Sequence, residues 1–147
     1  MKTALKSNKQ APLSYKPTDL NTDIHAPFTM LATLDDAPTW TPRAAHALAF
    51  VDAMWSAGKG FFWVGTGNDG VTLNKDFKAE DTQSWTWLAT LDAAHAGSID
   101  WAVANLARTD GKYTGVCFST ADKAGVWFEG TGHMASALLV RGDAGDA

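Results

Sequence analysis

Two acids stand where the chain passes from loop into apolar, helix-like sequence. Asp81 lies in Glu80-Asp81-Thr82-Gln83-Ser84-Trp85, and Glu129 lies in Trp127-Phe128-Glu129-Gly130. Two carboxylates on neighbouring helix heads suit acid–base chemistry, one giving a proton while the other activates water or attacks carbon. Glu129 has aromatic and glycine neighbours, and apolar surroundings raise a carboxyl's pKa, so Glu129 is expected as the acid and Asp81 as the base. His133 follows Glu129 by one helical turn and is expected to face the same cavity. Asp23 and His25 open the first helical stretch and belong to the same rim. These groups also have a plainer use. A carboxylate at a helix start complements the dipole and caps free N–H groups, and a histidine on an apolar face is often simply a hydrogen-bonded core residue.

Aromatics surround these heads. Seven tryptophans are many for 147 residues, because each buried indole N–H needs a partner. Trp55 and Trp101 fall on amphipathic stripes and are expected in the core. Trp63, Trp85 and Trp127 lie at or beside the helix heads, with Tyr113 in an equivalent loop; they either pack between helices or stack on flat ligand faces, sugar rings included. Other chemistries find no footing. His25, His46, His95 and His133 lack close ligand spacing, so no zinc site is expected. Asn68-Asp69-Gly70 lacks the acidic spacing of a calcium loop and reads as a turn. Neither a phosphate loop, a dinucleotide fingerprint nor a nucleophile elbow is present, and no cofactor is expected.

Composition narrows the partners. With 46% hydrophobic and 19% charged residues the chain reads as globular rather than disordered. A net charge of −4 disfavours nucleic acid and anionic membranes. The basic start has no apolar stretch behind it and no apolar run is long enough to span a bilayer, so a cytoplasmic protein is expected. Cys117 is the single cysteine and, between Val116 and Phe118, reads as a buried structural thiol.

The elements that would position the acids repeat. Met30-Leu31-Ala32-Thr33-Leu34-Asp35 and Trp87-Leu88-Ala89-Thr90-Leu91-Asp92 share five of six residues, 57 positions apart. Glu80-Asp81-Thr82 answers to Glu129-Gly130-Thr131 at an offset of 49, and Gly58–Trp63 resembles Gly111–Gly115. Repeats of about 50 residues indicate one supersecondary unit stacked on copies of itself. Residues 1–22, with Pro12 and Pro17, read as an irregular arm. Residues 23–140 read as one domain: helices over about 24–34, 42–57, 81–92, 98–108 and 128–140, with aromatic, glycine-rich β-like loops near 61–73 and 111–119. Residues 141–147 form a small polar tail. The fold class is mainly α, built of α/α helical hairpins with about five helices.

Phe61-Phe62-Trp63-Val64-Gly65-Thr66, Asp81-Thr82-Gln83-Ser84-Trp85 and Gly125-Val126-Trp127-Phe128-Glu129-Gly130-Thr131-Gly132-His133-Met134 resemble stretches of bacterial six-hairpin glycosidase-like proteins. The resemblance spans about residues 20–140, and Trp-Phe-Glu-Gly-Thr is its most specific run. It implies an (α/α)6 toroid whose inner helices point one way, their N-terminal ends forming a sugar-binding face. On it, Glu129 and Asp81 are implied as the catalytic pair, with His133, Trp63, Trp85, Trp127, Tyr113, Asp23 and His25 as ligand contacts. Six hairpins of about 50 residues need about 300 residues. Only 147 are present, with three inner-type and two outer-type helices, about half a ring. Two functions follow as expectations: a carbohydrate-binding or glycoside-processing half-toroid completed by a homodimer, or a non-catalytic homo-oligomer that has kept the hairpins and lost the chemistry.

Overall fold

A computed structural model describes residues 13–34 and 36–143. Most of the expected arm (1–12), Asp35 of the expected turn, and 144–147 of the tail lie outside the described residues. Within them the chain is mainly α-helical. The helices are α1 (Thr18–Leu34), α2 (Ala37–Ala53), α3 (Asp81–Thr90), α4 (Gly97–Leu106) and α5 (Phe128–Arg141). Two antiparallel hairpins separate them: β1 (Trp55–Ser56) with β2 (Phe61–Phe62), and β3 (Ala107–Asp110) with β4 (Tyr113–Val116).

The expected arm is helical from Thr18, not irregular to residue 22, because the chain just before it is tied down. The Thr18 N–H donates to the Val64 carbonyl at 3.0 Å, the Thr66 N–H to the Lys16 carbonyl at 3.0 Å, and the Thr18 hydroxyl to the Trp63 carbonyl at 2.6 Å. Gly65 makes this approach possible: its φ is +138°, and a Cβ there would sit 2.2 Å from the Lys16 oxygen. Pro27, expected only in a first turn, lies inside α1. The helix continues through it, held by its long contact with α2.

α2 also departs from expectation. It begins at Ala37, a turn before Thr41-Pro42, with Asp36 as N-cap and Pro38 in the first turn. It ends at Ala53, well short of Gly58, because Trp55 and Ser56 pair with Phe62 and Phe61 across a hairpin. Trp55 therefore leaves the helix stripe and packs on Phe62 with ring centroids 4.8 Å apart. Likewise α4 stops at Leu106, and Arg108 belongs to β3. Asn68-Asp69-Gly70 forms a turn as read: Asp69 accepts the Val71 and Thr72 N–H groups and the Thr72 hydroxyl, and these bonds pull its pKa down to about 2.

Helix α3 touches α1 on one side and α5 on the other, while α2 packs on α1 and α4 packs on α3 and α5. One core cluster joins Trp87 of α3 to Ile99, Ala102 and Leu106 of α4, Val116 and Cys117, and Met134, Ala137 and Leu138 of α5. A second joins Val51 and Met54 to Phe61, Phe62 and Trp63. Trp101 on α4 packs against both.

Candidate functional site

The heads of α1, α3 and α5 meet. Each contributes two residues one turn apart: Asp19 and Asp23, Asp81 and Trp85, Glu129 and His133. Side chains at i and i+4 share a helix face, so each helix aims both of its residues at the same place. Together the six line a cleft of about 230 Å³.

The groups are coupled. The Trp85 indole N–H donates to Asp23 Oδ1 at 2.7 Å. The His133 ring lies between two indoles, with centroids 4.9 Å from Trp85 and 6.2 Å from Trp127, and its buried Nδ1 has no hydrogen-bond partner among the described residues. Asp81 Oδ1 accepts the Thr82 N–H at 2.7 Å. Burial raises the Asp81 pKa and the Asp19 charge adds to this, against the Thr82 N–H and His133, which lower it. Asp19 is raised in the same way, by burial and then by Asp23, against the backbone N–H of Leu20. Asp19 and Asp81 are thus both held above the ordinary carboxylate value by burial, each further opposed by a neighbouring aspartate charge.

Of the nine residues expected from sequence, Asp23, Asp81, Trp85, Glu129 and His133 line this cleft. Trp127 stands behind it, edge-on to Phe118 at 5.1 Å. Three lie elsewhere. Trp63 is buried in the second core cluster, with the Lys59, Lys75 and Lys78 ammonium groups 5.8, 5.9 and 5.0 Å from its ring. Tyr113 is exposed on β4 against Phe128, and His25 pairs with the Ala44 carbonyl of α2 at 3.1 Å. The environment expected for Glu129 is also corrected. Its aromatic neighbours in sequence do not enclose it; Glu129 is exposed, and the half-buried cleft acids are Asp81 and Asp19.

Two acids were missed. Asp19 fell inside the expected arm, although Pro17-Thr18-Asp19 has the form of a helix start and Asp19/Asp23 repeats the one-turn spacing. Glu80 was paired with Glu129 by the offset of 49, yet Glu80 is fully buried, with neither oxygen hydrogen-bonded among the described residues. Burial pushes its pKa to about 8, the Ser84 hydroxyl lowering it and the Asp81 charge raising it. In three dimensions the offset is 48. It matches Asp81 to Glu129 and Trp85 to His133, and it matches Gln83, whose Oε1 accepts the Phe62 N–H, to Thr131, whose Oγ1 accepts the Val116 N–H. Neighbouring helix positions point about 100° apart, so a slip of one moves a buried acid onto the cleft face.

The cleft continues. Asp19 and Asp81 also line a hollow of about 170 Å³ that shares Tyr15, Thr66 and Asn74 with a further hollow of about 500 Å³. Among the described residues no group of three or more His, Cys, Asp or Glu side chains is placed to hold a metal ion, and no helix is long and apolar enough to cross a membrane. Compared with family models, with curated proteins and with solved structures, the chain matches none.

Proposed function

We propose that the protein is a carbohydrate-binding or glycoside-processing helical-hairpin protein, equivalent to about half of a toroid, with its site at the joined heads of α1, α3 and α5. The observation that carries this is the cleft itself: a half-buried carboxyl, Asp81, and an exposed one, Glu129, beside His133 and Trp85, which is 39% exposed. The roles are the reverse of those first expected. Asp81, whose pKa burial raises, is assigned the general-acid role, and the solvent-exposed Glu129 the activation of water. Trp85, fixed by Asp23, offers an apolar face to a sugar ring. The adjoining hollow, with Tyr15, Thr66, Asn68 and Asn74, supplies hydroxyl and amide groups for the rest of a polyhydroxylated ligand.

The test is a panel of neutral oligosaccharides, read by tryptophan fluorescence for binding and by new reducing ends for cleavage. At least one is expected to bind saturably. Where cleavage occurs, Asp81→Asn and Glu129→Gln are each expected to lower turnover roughly 10²- to 10⁴-fold. Unchanged binding and turnover in Glu129→Gln sinks the assignment.

A second reading has its own observation. The helices at the two ends of the row expose large apolar side chains: Met30 at 64% and Leu34 at 79% on α1, Phe128 at 65% and Leu139 at 57% on α5. Such flanks favour self-association, so a non-catalytic homo-oligomer is the alternative.

A further inference from the structure

An apolar groove of about 290 Å³ opens between α4, β4 and α5, with Val103, Val116, Thr131, Met134, Ala135 and Leu138 in its lining. It lies away from the acidic cleft and shares no lining residue with it. What fits it is indicated by the previous copy of the same unit. The offset of 48 that superposes the cleft residues and the strand clamps Gln83 and Thr131 also places Trp87 on Ala135. In the first copy this surface is covered by α4. The Ser98 hydroxyl donates to the Gln83 carbonyl at 3.2 Å, Ile99, Ala102 and Leu106 pack with Trp87, and Trp101 meets Phe61 on the hairpin at 5.1 Å. In the second copy the corresponding surface, at Thr131 and Ala135 beside β4, is an open groove.

We propose that this groove is a docking site for one amphipathic α-helix of a separate polypeptide, seated as α4 is seated one repeat earlier. The occupant is defined by that seat. It carries a hydroxyl or other small polar residue at its start, near the Thr131 carbonyl, followed by aliphatic residues at three- and four-residue spacing, the pattern of Ser98, Ile99, Ala102 and Leu106. Helix-in-groove recognition of this kind reads such anchors directly, and the interface repeats on α5 the α3–α4 contact already present in the molecule.

The probe is a synthetic, fluorescently labelled peptide of residues 96–108 of this chain, titrated with the intact protein and read by fluorescence anisotropy. Saturable binding is expected. Ala135→Glu, which puts a charge on the groove wall, is expected to weaken it at least about tenfold, a loss of about 1.4 kcal/mol. Met30→Glu on α1 is expected to leave it unchanged. Circular dichroism and a melting curve establish that Ala135→Glu still folds; should it not, Val103→Glu replaces it on the facing helix. Three results overturn the proposal: no binding up to millimolar protein, binding indifferent to both groove variants, or a concentration-dependent dimer dissolved by the groove variants, which would make a second copy the occupant.

Discussion

Glu80 is the least comfortable side chain in the molecule. Its carboxyl is completely buried, neither oxygen is hydrogen-bonded among the described residues, and Asp81 stands next to it. A Cβ on Gly130 would lie 2.6 Å from Glu80 Oε2 and 2.2 Å from the Trp127 ring, so α5 approaches α3 here only because residue 130 has no side chain. The consequence for stability has a definite sign. The folded-state pKa of about 8 lies above the ordinary value of 4.5, so the folded chain keeps a proton that the unfolded chain releases. Stability therefore falls as pH rises from 4.5 toward 8, by at most about 1.4 kcal/mol per pH unit, and levels off above. Glu80→Gln removes the titration. In urea unfolding across this range the variant is expected to match the parent near pH 4.5 and to exceed it near pH 8, by about 1–3 kcal/mol. A parent whose stability climbs through that window would show that Glu80 is ionised in the fold.

At the scale of elements, the cleft depends on how α1 is anchored. Asp19 reaches the acids of α3 because Lys16–Thr18 is stitched to Trp63–Thr66, and that stitch requires the close backbone approach at Gly65. Gly65→Ala is expected to cost more than about 1 kcal/mol, since the new methyl meets a backbone oxygen that cannot rotate away. Amide hydrogen exchange is expected to quicken at Thr18 and Thr66 while the core strands and α4 stay protected. Equal loss of protection throughout would mean that this segment belongs to the global folding unit. The same contacts explain what could be read from sequence. The Leu-Ala-Thr-Leu-Asp repeat does mark the ends of both α1 and α3, and the starts of α3 and α5 follow from acid-plus-apolar patterning. Long-range pairing was invisible. Trp55 has helical spacing but is held by Phe62, and the start of α1 is fixed by residues about 45 positions away. A β-ladder carries no local period in so short a strand, and a hydrogen bond across that distance carries none at all. In the site, Asp19 was hidden in the expected arm, while Asp81, Trp85 and the one-turn pair Glu129 and His133 were legible. Which acid is buried was not, because the face a helix presents depends on a register that a one-residue misalignment destroys.

For the whole molecule the question is what covers its two ends. The row α1–α3–α5 has an α1 flank and an α5 flank, and large apolar side chains are exposed on both. Met30 borders a hollow that it shares with Asp23 and Trp85 of the acidic cleft, whereas Leu34 and Leu139 line neither that cleft nor the groove that holds Ala135, so these two can be altered independently of both. Self-association through the flanks would remove most of the surface of Met30, Leu34 and Leu139 from water, and burying each such side chain contributes about 1.5–3 kcal/mol. Several of them from each copy reach the range of a micromolar complex once the cost of association is subtracted. The net charge of −4 opposes this only weakly at physiological salt, where charges more than about 8 Å apart are screened. Light scattering over a dilution series to low micromolar is therefore expected to give twice the 15.7 kDa mass of the chain at the concentrated end. Leu34→Glu with Leu139→Glu is expected to return it to monomer without altering its circular dichroism. A parent that stays monomeric throughout would remove the homo-oligomer and leave the cleft as an open half-funnel, in which case sugar binding should be tested with short ligands first. A dimer that survives both flank variants but dissociates on Ala135→Glu would instead place the contact at the groove, and the helix partner proposed for it would be this protein's own second copy.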